Sequence, residues 1–441
     1  MAQTFWVETL GCPKNQVDSD KLTGTLLADG LAPADAPDQA DLVVVNTCAF
    51  IEEARQESID TVLALSDARA AGSRVVVTGC MAERYGDELA EALPEVDAVA
   101  GFGVAVTATA PPGVAVTIGS KPPAASLPSF DLLNLPRPRA TAPWAYLKVA
   151  EGCDRACGFC AIPSFRGKQR SRSVDDLLAE VDQLGATEIV LVAQDLAAYG
   201  RDQGVGERTI VPLVKAVAER VDWVRLLYLY PSDLTDELID TILATGVPYF
   251  DLSLQHVSAP LVRRMRRWGN GERFLERITA IRAAEPGAAF RSNFIVGYPG
   301  ETEADHDELL AFVDTAQLDW CGFFSFSRED GTYAADLDGQ VPTGLMGERL
   351  AELRERQDAI TAARRDDLIG SRVRVLVDAP GIARSYREAP EIDGIITVPT
   401  SLEPGRFVEV TVVAALGPDL VAEPVEIAAG AGSGQGSGSG P

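Results

Sequence analysis

Three cysteines stand close together near the middle of the chain. Cys153, Cys157 and Cys160 have the spacing C-x3-C-x2-C. Three thiolates can bind three irons of a cubane iron–sulfur cluster, which leaves the fourth iron open to an exchangeable ligand. Zinc is the alternative, because cysteines two to four residues apart also suit zinc. Zinc would need a fourth ligand, and the chain has only two histidines, His256 and His306, both distant in sequence.

Three further cysteines, Cys12, Cys48 and Cys80, each follow a predicted strand. Apolar runs predict strands over 5–10, 42–46 and 74–78, and helices over 16–29, 52–71 and 83–93. This βαβ pattern predicts a parallel sheet, in which ligands gather at the carboxyl ends of the strands. We therefore expect the three thiols to converge and again to leave one iron of a cubane open. Three separate buried thiols are the alternative, because free cysteines are commonly buried.

The fold class predicted for the chain is α/β. Alternating strands and helices predict a partial TIM-like (β/α)6 barrel in the middle of the chain. Its strands are predicted over 145–150, 188–193, 224–230, 249–254, 290–296 and 320–326. Helices are predicted over 174–184, 209–221, 234–245, 271–284 and 303–315. Cys153 follows the first strand, at the end where such barrels place their chemistry. A helix over 346–366 is expected to close this domain. The predicted parts are an α/β domain over 1–107, a Pro/Ala-rich linker over 108–143, the barrel over 144–366, a small all-β barrel over 371–428 and a disordered Gly/Ser-rich tail over 429–441.

The composition indicates a globular protein of the cytoplasm. No stretch of 18 apolar residues and no N-terminal secretion signal occur in the 441 residues, so we expect no membrane span. Seven cysteines without such a signal favour metal binding over disulfides. The net charge of −26 disfavours binding to phosphate backbones and favours basic partners, although general solubility also explains it.

The order of a three-cysteine α/β domain, a three-cysteine barrel and a small β barrel resembles the methylthiotransferase family of radical S-adenosylmethionine (SAM) enzymes. The resemblance covers nearly the whole chain, and the last domain resembles a TRAM domain. It implies two [4Fe–4S] clusters, an auxiliary one on Cys12, Cys48 and Cys80 and a radical-SAM one on Cys153, Cys157 and Cys160. It also implies that one SAM methylates a sulfur atom at the auxiliary cluster while another yields the radical that abstracts a substrate hydrogen. A low-potential electron donor such as flavodoxin is implied as a partner.

Five further residues match positions that this family places near SAM. They are Phe159, Gln194, Asp195, Gly297 and Gly300. His256 ends the fourth barrel strand, where a role in the site and a satisfied core histidine are both open. Cys321 lies outside both cysteine sets, and we interpret it as an ordinary core thiol.

The sequence leans towards one branch of the family. One branch modifies an aspartate of ribosomal protein S12 at its β-carbon, and another modifies adenosine in tRNA. The stretch Ala-Pro-Glu-Ile-Asp-Gly over 389–394 resembles the S12 branch, and residues 371–428 carry five arginines against nine acidic residues, a net charge of −4. An RNA-binding module should be basic, so this surface better suits a basic ribosomal protein. We predict docking of S12 at Glu388, Glu391 and Asp393.

Two basic clusters support the tRNA alternative. They span 166–172 and 263–267 and could contact RNA phosphates. The first cluster, close to the middle cysteines, could equally neutralise the SAM carboxylate or face a carboxylate substrate. For the second cluster, a solvated helix face is the interpretation that we favour.

Overall fold

The structure is a computed structural model that describes residues 3–107, 131–204 and 208–425. The chain divides into two compact units, Met1–Thr361 and Ala362–Pro441. The predicted tail over 429–441 and most of the predicted linker lie outside the described residues. The other predicted domain boundaries stay predictions. No helix in the described part of the chain has the length and apolar character needed to cross a membrane.

The first unit begins with a five-stranded parallel sheet in the order β2-β1-β3-β4-β5. Its central strands are runs of valine that are buried on both faces, as expected for a parallel sheet covered by helices. The elements are β1 Thr4–Thr9, α1 Pro13–Ala28, β2 Ala32–Pro33, β3 Leu42–Thr47, α2 Glu52–Ala68, β4 Arg74–Gly79, α3 Cys80–Ala92 and β5 Ala98–Ala100.

The strand order reverses between β1 and β3. In open sheets with this order, ligands bind outside the carboxyl ends of the strands at that reversal. The strand ends are level there, since Thr9 pairs with Asn46, and Thr47 pairs with Gly79. The loops that leave β1, β3 and β4 therefore start side by side at one edge of the sheet.

The rest of the first unit is a partial barrel of six parallel strands. Two three-stranded sheets, β10-β9-β6 and β11-β12-β13, are joined by a bridge between Leu229 and Leu252. The strands are β6 Trp144–Lys148, β7 Ala150–Glu151, β8 Arg170–Ser171, β9 Glu188–Val192, β10 Trp223–Leu226, β11 Tyr249–Gln255, β12 Ala289–Val296 and β13 Trp320–Ser325. The helices are α4 Ile162–Phe165, α5 Val174–Leu184, α6 Ile210–Ala218, α7 Asp236–Ala244, α8 Ala259–Arg264, α9 Gly271–Ala284, α10 Glu303–Ala316 and α11 Thr343–Asp366, and the residues of α11 after Thr361 belong to the second unit. The short strands β7 and β8 pair with each other, outside the barrel wall. The predicted (β/α)6 barrel is confirmed.

Local sequence explains where the barrel helices begin. Four of them start after a polar residue whose side chain accepts a hydrogen bond from the third residue of the helix, the usual N-cap arrangement, at Ser173, Thr235, Asn270 and Thr302. The apolar faces of these helices then pack on the strands in one continuous core. The carboxyl ends of the strands and their loops are left to form the site.

The second unit contains a closed barrel in the order β14-β15-β16-β18-β17, as predicted. Its strands are β14 Arg372–Ala379, β15 Ile382–Arg384, β16 Ile396–Thr397, β17 Phe407–Leu416 and β18 Asp419–Pro424. Alternate apolar residues of these strands, such as Val375, Val410 and Leu420, fill the interior.

Glu388, predicted to dock the partner, is instead fully buried in this unit. Its carboxylate accepts hydrogen bonds from the backbone and the hydroxyl of Ser385, at 2.8 and 2.7 Å, and pairs with Arg365. Burial alone would raise the pKa of Glu388, but Arg365 and Ser385 lower it below the ordinary value. The docking role of Glu388 is therefore wrong. Glu391 is exposed and Asp393 is half-buried, and their docking role stays a prediction.

Candidate metal centres

The three N-terminal cysteines lie together at the sheet edge where β1, β3 and β4 end. Cys12 is the N-cap of α1, Cys48 follows β3 and Cys80 opens α3. Burial raises the pKa of Cys48 to about 12, and the nearby Cys12 and Cys80 contribute to this shift. Glycine at position 11 allows the loop after β1 to lie close to Cys48, because a Cβ atom there would be 2.8 Å from the Cys48 Cβ and 3.0 Å from its Sγ.

Two helices start earlier than the sequence predicted, and both bring a cysteine to a helix N-terminus. The helix expected from residue 16 begins at Pro13, a residue that suits the first helical position because it needs no N–H partner. The helix expected from residue 83 begins at Cys80 itself. Helix N-termini favour negative charge. The pKa of Cys12 is lowered below its ordinary value, whereas burial raises the pKa of Cys80.

Arg166 reaches from the barrel to this cysteine set. Its Nη2 lies 3.0 Å from the Cys80 Sγ and 2.9 Å from the Asn15 Oδ1. Its Nη1 donates to the Glu151 Oε1 at 2.9 Å and to the Asp18 Oδ2 at 3.3 Å. Arg166 is buried, so these partners must compensate its charge inside the protein. The sequence had suggested a SAM or substrate carboxylate as its partner, but internal acceptors take these hydrogen bonds.

Lys148 completes this buried group of charges, which we call the central ion network: Asp18, Lys148, Glu151 and Arg166. Lys148 Nζ lies 2.6 Å from the Asp18 Oδ1 and also pairs with Glu151. Burial would raise the pKa of Glu151, but Arg166 and Lys148 outweigh that effect and lower it to about 2. The network joins α1 of the sheet to the first strand of the barrel and the segment that follows it.

The other arginines of the cluster over 166–172 are also paired within the protein. Arg170 forms a two-pronged contact with Asp131, at 2.7 and 2.8 Å, and Arg172 lies 2.6 Å from the Glu180 carboxylate. Such neutralised guanidinium groups leave little positive charge to attract RNA phosphates. The cluster that supported the tRNA alternative is therefore largely compensated by carboxylates of the chain itself.

The middle cysteines lie at the carboxyl end of the barrel, after β7. The Cys153 Sγ accepts a hydrogen bond from the backbone N–H of Arg155 at 3.4 Å, and the Cys157 Sγ accepts one from Arg267 Nη1 at 3.3 Å. Burial raises the pKa of Cys153 to about 11 and that of Cys160 to about 12, and the neighbouring cysteines add to both shifts. Arg267 thus contacts this set directly, and the predicted solvated helix face is wrong for it.

Two arginines beside the middle cysteines enclose one aromatic ring. The guanidinium carbons of Arg155 and Arg267 lie 3.7 and 4.1 Å from the centroid of Tyr230. Arg155 also donates to the Asp195 Oδ2 at 2.6 Å and pairs with Asp233. The sequence analysis did not single out Arg155 and placed Arg267 on a solvated helix face, because nothing in their local spacing showed which distant strand ends they would meet.

The residues predicted to lie near SAM all follow barrel strands or line the cysteine loop. Phe159 packs against an apolar cluster that contains Tyr298. Gln194 donates to the Glu151 Oε1 at 2.8 Å, while its own Oε1 is buried and has no hydrogen-bond partner among the described residues. Asp195 is 5% exposed and holds Arg155. Contact of any of these side chains with SAM stays a prediction.

Gly297 and Gly300 lie in a turn after β12, and the backbone conformation at both positions favours glycine. Both have a positive φ, +83° and +88°. A Cβ atom on Gly297 would lie 2.1 Å from the Met346 Sδ. Gly300 donates to the Gly339 carbonyl at 2.7 Å. These contacts explain why the residues are glycine, and their predicted role near SAM stays a prediction.

Lys14 and Tyr228 meet where the sheet faces the barrel. Lys14 Nζ lies 3.6 Å from the centroid of the Tyr228 ring. Burial raises the pKa of Tyr228, and the nearby Cys12 adds to the shift. Although burial would raise the pKa of Cys12, the charges of Lys14 and Arg166 contribute to a net lowering. Lys14, Tyr228 and Cys12 are therefore neighbours, a grouping that the sequence analysis also missed.

His256 and Cys321 are core residues. His256 is fully buried, and its Nδ1 accepts a hydrogen bond from the Ser258 backbone at 3.1 Å. Burial lowers the pKa of His256 to about 4, so the ring is neutral at pH 7. Cys321 packs against the barrel core from β13. Neither residue is placed among the cysteines by the contacts that the structure shows.

Each cysteine set brings thiols close enough for their charges to raise one another's pKa. In each set an arginine donates to one sulfur, Arg166 to Cys80 and Arg267 to Cys157. Hydrogen bonds to sulfur stabilise thiolates and tune the potential of such clusters. In the described ranges, no three His, Cys, Asp or Glu side chains converge closely enough to hold one metal ion. A cubane cluster requires less convergence, since each thiolate binds a different iron.

Comparison with known proteins identifies the class of each part. Residues 4–101 match the family model "Uncharacterized protein family UPF0004", residues 147–313 match "Radical SAM superfamily" and residues 369–425 match "TRAM domain". Among solved structures, the radical S-adenosylmethionine methyltransferase TsrM from Kitasatospora setae aligns with a TM-score of 0.51 at 14% identity, over 84% of this chain and 91% of that one. That similarity supports the fold. The middle of the chain is a radical SAM domain.

Curated relatives align along nearly the whole chain. The ribosomal protein uS12 methylthiotransferase RimO of Cutibacterium acnes is 41% identical over 96% of this chain and 98% of its own length. The protein of the same name from Moorella thermoacetica is 44% identical over 89% of this chain and 92% of its own length. That from Streptomyces coelicolor is 40% identical over 96% and 97%. The chain belongs to the family of ribosomal protein uS12 methylthiotransferases, which confirms the resemblance seen in its motifs.

Proposed function

We propose that this chain attaches a methylthio group to the β-carbon of an aspartate in ribosomal protein S12. The observation that carries the proposal is the identity of 40 to 44% to uS12 methylthiotransferases over almost the full chain. Two cysteine sets at the facing ends of a sheet and a barrel support it. The neutralised arginines over 166–172 argue against tRNA as the substrate.

The proposal includes two [4Fe–4S] clusters, one for each cysteine set. Cys12, Cys48 and Cys80 would hold the auxiliary cluster, and Cys153, Cys157 and Cys160 would hold the radical-SAM cluster. When bound, such clusters supply an open iron each, one for SAM and its one-electron reduction and one for the sulfur that is transferred. One SAM serves as methyl donor and a second as radical source.

The chain's own residues hold this chemistry in place and exclude water. Gln194 offers a buried carbonyl oxygen that has no hydrogen-bond partner in the part of the chain that the structure describes, and we propose that it accepts a hydrogen bond from the SAM ammonium group. Arg155 keeps Asp195 and Tyr230 in fixed positions beside the middle cysteines. Phe159 and the glycine turn at Gly297 and Gly300 would close the apolar side of the SAM site.

Docking contacts between the sheet and the barrel keep the site closed. Arg55 and Arg84 of the sheet domain both contact Glu329 of the barrel, at 2.6 and 2.5 Å. Glu329 is 2% exposed, so this contact excludes solvent. A dry site protects a radical from side reactions. For the partner, we propose that S12 docks on Glu391 and Asp393, that the protein works in the cytoplasm, and that a low-potential donor such as flavodoxin supplies electrons.

The test is a competition between the two substrate classes. The protein is reconstituted with iron and sulfide without oxygen, reduced, and given SAM with small ribosomal subunits and tRNA together. We expect mass spectrometry to find the methylthio group on an S12 aspartate and none on tRNA adenosine. A methylthio group on tRNA would overturn the assigned substrate, and cleavage of SAM without either product would overturn the transfer reaction.

A further inference from the structure

Lys14 lies between the parallel sheet and the barrel of the first unit. It lies in the first turn of α1, two residues after Cys12. Its ammonium group lies over the ring of Tyr228, which follows the barrel strand β10 by two residues. Lys14 therefore spans from the auxiliary cysteine set to the carboxyl end of a barrel strand, where barrel enzymes bind their substrates.

The backbone of Tyr228 is unusual for a residue with a side chain. Its φ is +64°, in the left-handed region that favours glycine. The backbone N–H of Tyr228 donates to the Asp251 Oδ2 at 3.0 Å, which helps to hold this conformation. Such conformations persist where surrounding contacts enforce them, often at functional sites. Here the conformation presents the ring to Lys14.

Lys14 differs from Arg166, Lys148 and Arg155 in having no carboxylate partner among the residues that the structure describes. Arg166 and Lys148 pair with Asp18 and Glu151, and Arg155 pairs with Asp195 and Asp233. For Lys14, no hydrogen bond or ion pair to its ammonium group is found within residues 3–107, 131–204 and 208–425. A half-buried ammonium group has three donors and gains most from an anionic acceptor.

We propose that Lys14 binds the side-chain carboxylate of the substrate aspartate and that Tyr228 positions the Lys14 ammonium group. This inference rests on the proposed function, because it names the group that receives that substrate. The carbon that gains the methylthio group is bonded directly to this carboxylate. Binding the carboxylate next to Cys12 therefore fixes the reacting carbon beside the auxiliary cysteine set. A neutral adenine ring offers no carboxylate, so Lys14 also selects the substrate class.

A double-mutant cycle tests the pairing of Lys14 with the carboxylate. The enzyme is reconstituted with its iron and kept unreduced so that no turnover occurs, and its Kd is measured for S12 and for S12 with the modified aspartate changed to asparagine. For Lys14→Met, we expect binding of S12 to weaken by about 10- to 100-fold, the size of a lost charge-assisted hydrogen bond. Binding of the asparagine form should be equally weak in both enzymes.

Two further variants separate charge from structure. Lys14→Arg keeps the charge and should recover part of the lost affinity. Lys215→Met removes an exposed lysine from α6 and should bind S12 like the unchanged enzyme. In turnover, Lys14→Met should raise the KM for S12 by more than it lowers kcat, because the interaction already exists in the bound ground state.

Three outcomes would overturn the role of Lys14. One is an equal loss of affinity for both S12 forms. Another is loss of bound iron from Lys14→Met, which would make Lys14 part of the cluster site. The third is a matching loss of SAM affinity, which would assign the ammonium group to the SAM carboxylate. Failure of the proposed function is recognised separately, since then the unchanged enzyme would give no methylthiolated S12 at all.

Discussion

Replacing Arg166 by methionine should strongly destabilise the first unit, because it breaks the central ion network. The side chain of Arg166 is 3% exposed, and Asp18 and Glu151 are the carboxylates that compensate it. Without Arg166, the single positive charge of Lys148 faces two buried carboxylates. One negative charge is then left without compensation in the interior. Leaving a buried charge unpaired costs about 3–5 kcal/mol.

The pKa of Glu151 gives a second way to calculate how much the ion pairs of Glu151 in this network contribute to the free energy of unfolding. Its folded value of about 2 lies below the ordinary value of 4.5 because Arg166 and Lys148 stabilise the charged form. That difference corresponds to about 3 kcal/mol of stability. Because the folded pKa is the lower one, this stability is present above pH 4.5 and is lost as the pH falls towards 2. The two magnitudes describe one interaction and are not added.

Urea unfolding, monitored by tryptophan fluorescence, measures the free energy of unfolding of the first unit. All five tryptophans of the chain, Trp6, Trp144, Trp223, Trp268 and Trp320, lie in the first unit. At pH 7 we expect Arg166→Met to lower the free energy of unfolding by about 3–5 kcal/mol. Between pH 5 and 3 the difference from the unchanged protein should shrink, because the unchanged protein loses the contribution of Glu151.

The matched control is Arg277→Met. Arg277 pairs with Asp236 at the surface, with side chains 42% and 88% exposed. Exposed pairs contribute about 0–1 kcal/mol, so this variant should unfold almost like the unchanged protein. A loss for Arg166→Met no larger than that of Arg277→Met, or one that does not change with pH, would refute the reasoning about the central ion network.

Three other variants test the site and the second unit. Cys48→Ala should lose about half of the bound iron in a colorimetric assay and stop methylthiolation while SAM cleavage continues, and normal product would contradict two separate clusters. Cys157→Ala should abolish SAM cleavage measured by chromatography but keep the other half of the iron, and surviving cleavage would contradict its assignment to the radical-SAM cluster. Glu388→Ala should destabilise the second unit by about 3 kcal/mol, because Arg365 loses its buried partner, and a calorimetric midpoint equal to that of exposed Glu403→Ala would refute this.

Sequence patterns predicted the elements well where burial is regular. Valine runs such as 43–45 and 75–77 mark strands that are buried on both faces, and each leads into a cysteine. The parallel order then brings the strand ends together, so the grouping of Cys12, Cys48 and Cys80 followed from local pattern alone. The helix starts at Pro13 and Cys80 were less predictable, because each begins directly at a loop whose shape depends on the site.

Charged residues were the part that sequence could not place. Asp18 and Arg166 are 148 positions apart, and nothing local to either one indicates that they meet. Glu388 stands in a polar stretch that has no apolar periodicity, so its burial against Arg365 had no local sign. Ion pairs of this kind are decided by how elements pack, and a local sequence window contains only one of the two partners.

The central ion network explains how the two cysteine sets, which are distant in sequence, are held at a fixed distance from each other. Buried ion pairs add little net stability compared with apolar packing, but they tolerate few alternative geometries, because each misplaced charge would be left unpaired. Arg166 ties Cys80 to the network on the sheet side. On the barrel side, Glu151 stands two residues before Cys153. A shift of the sheet against the barrel would therefore break several buried pairs at once, so the network holds the two cysteine sets in a fixed position relative to each other.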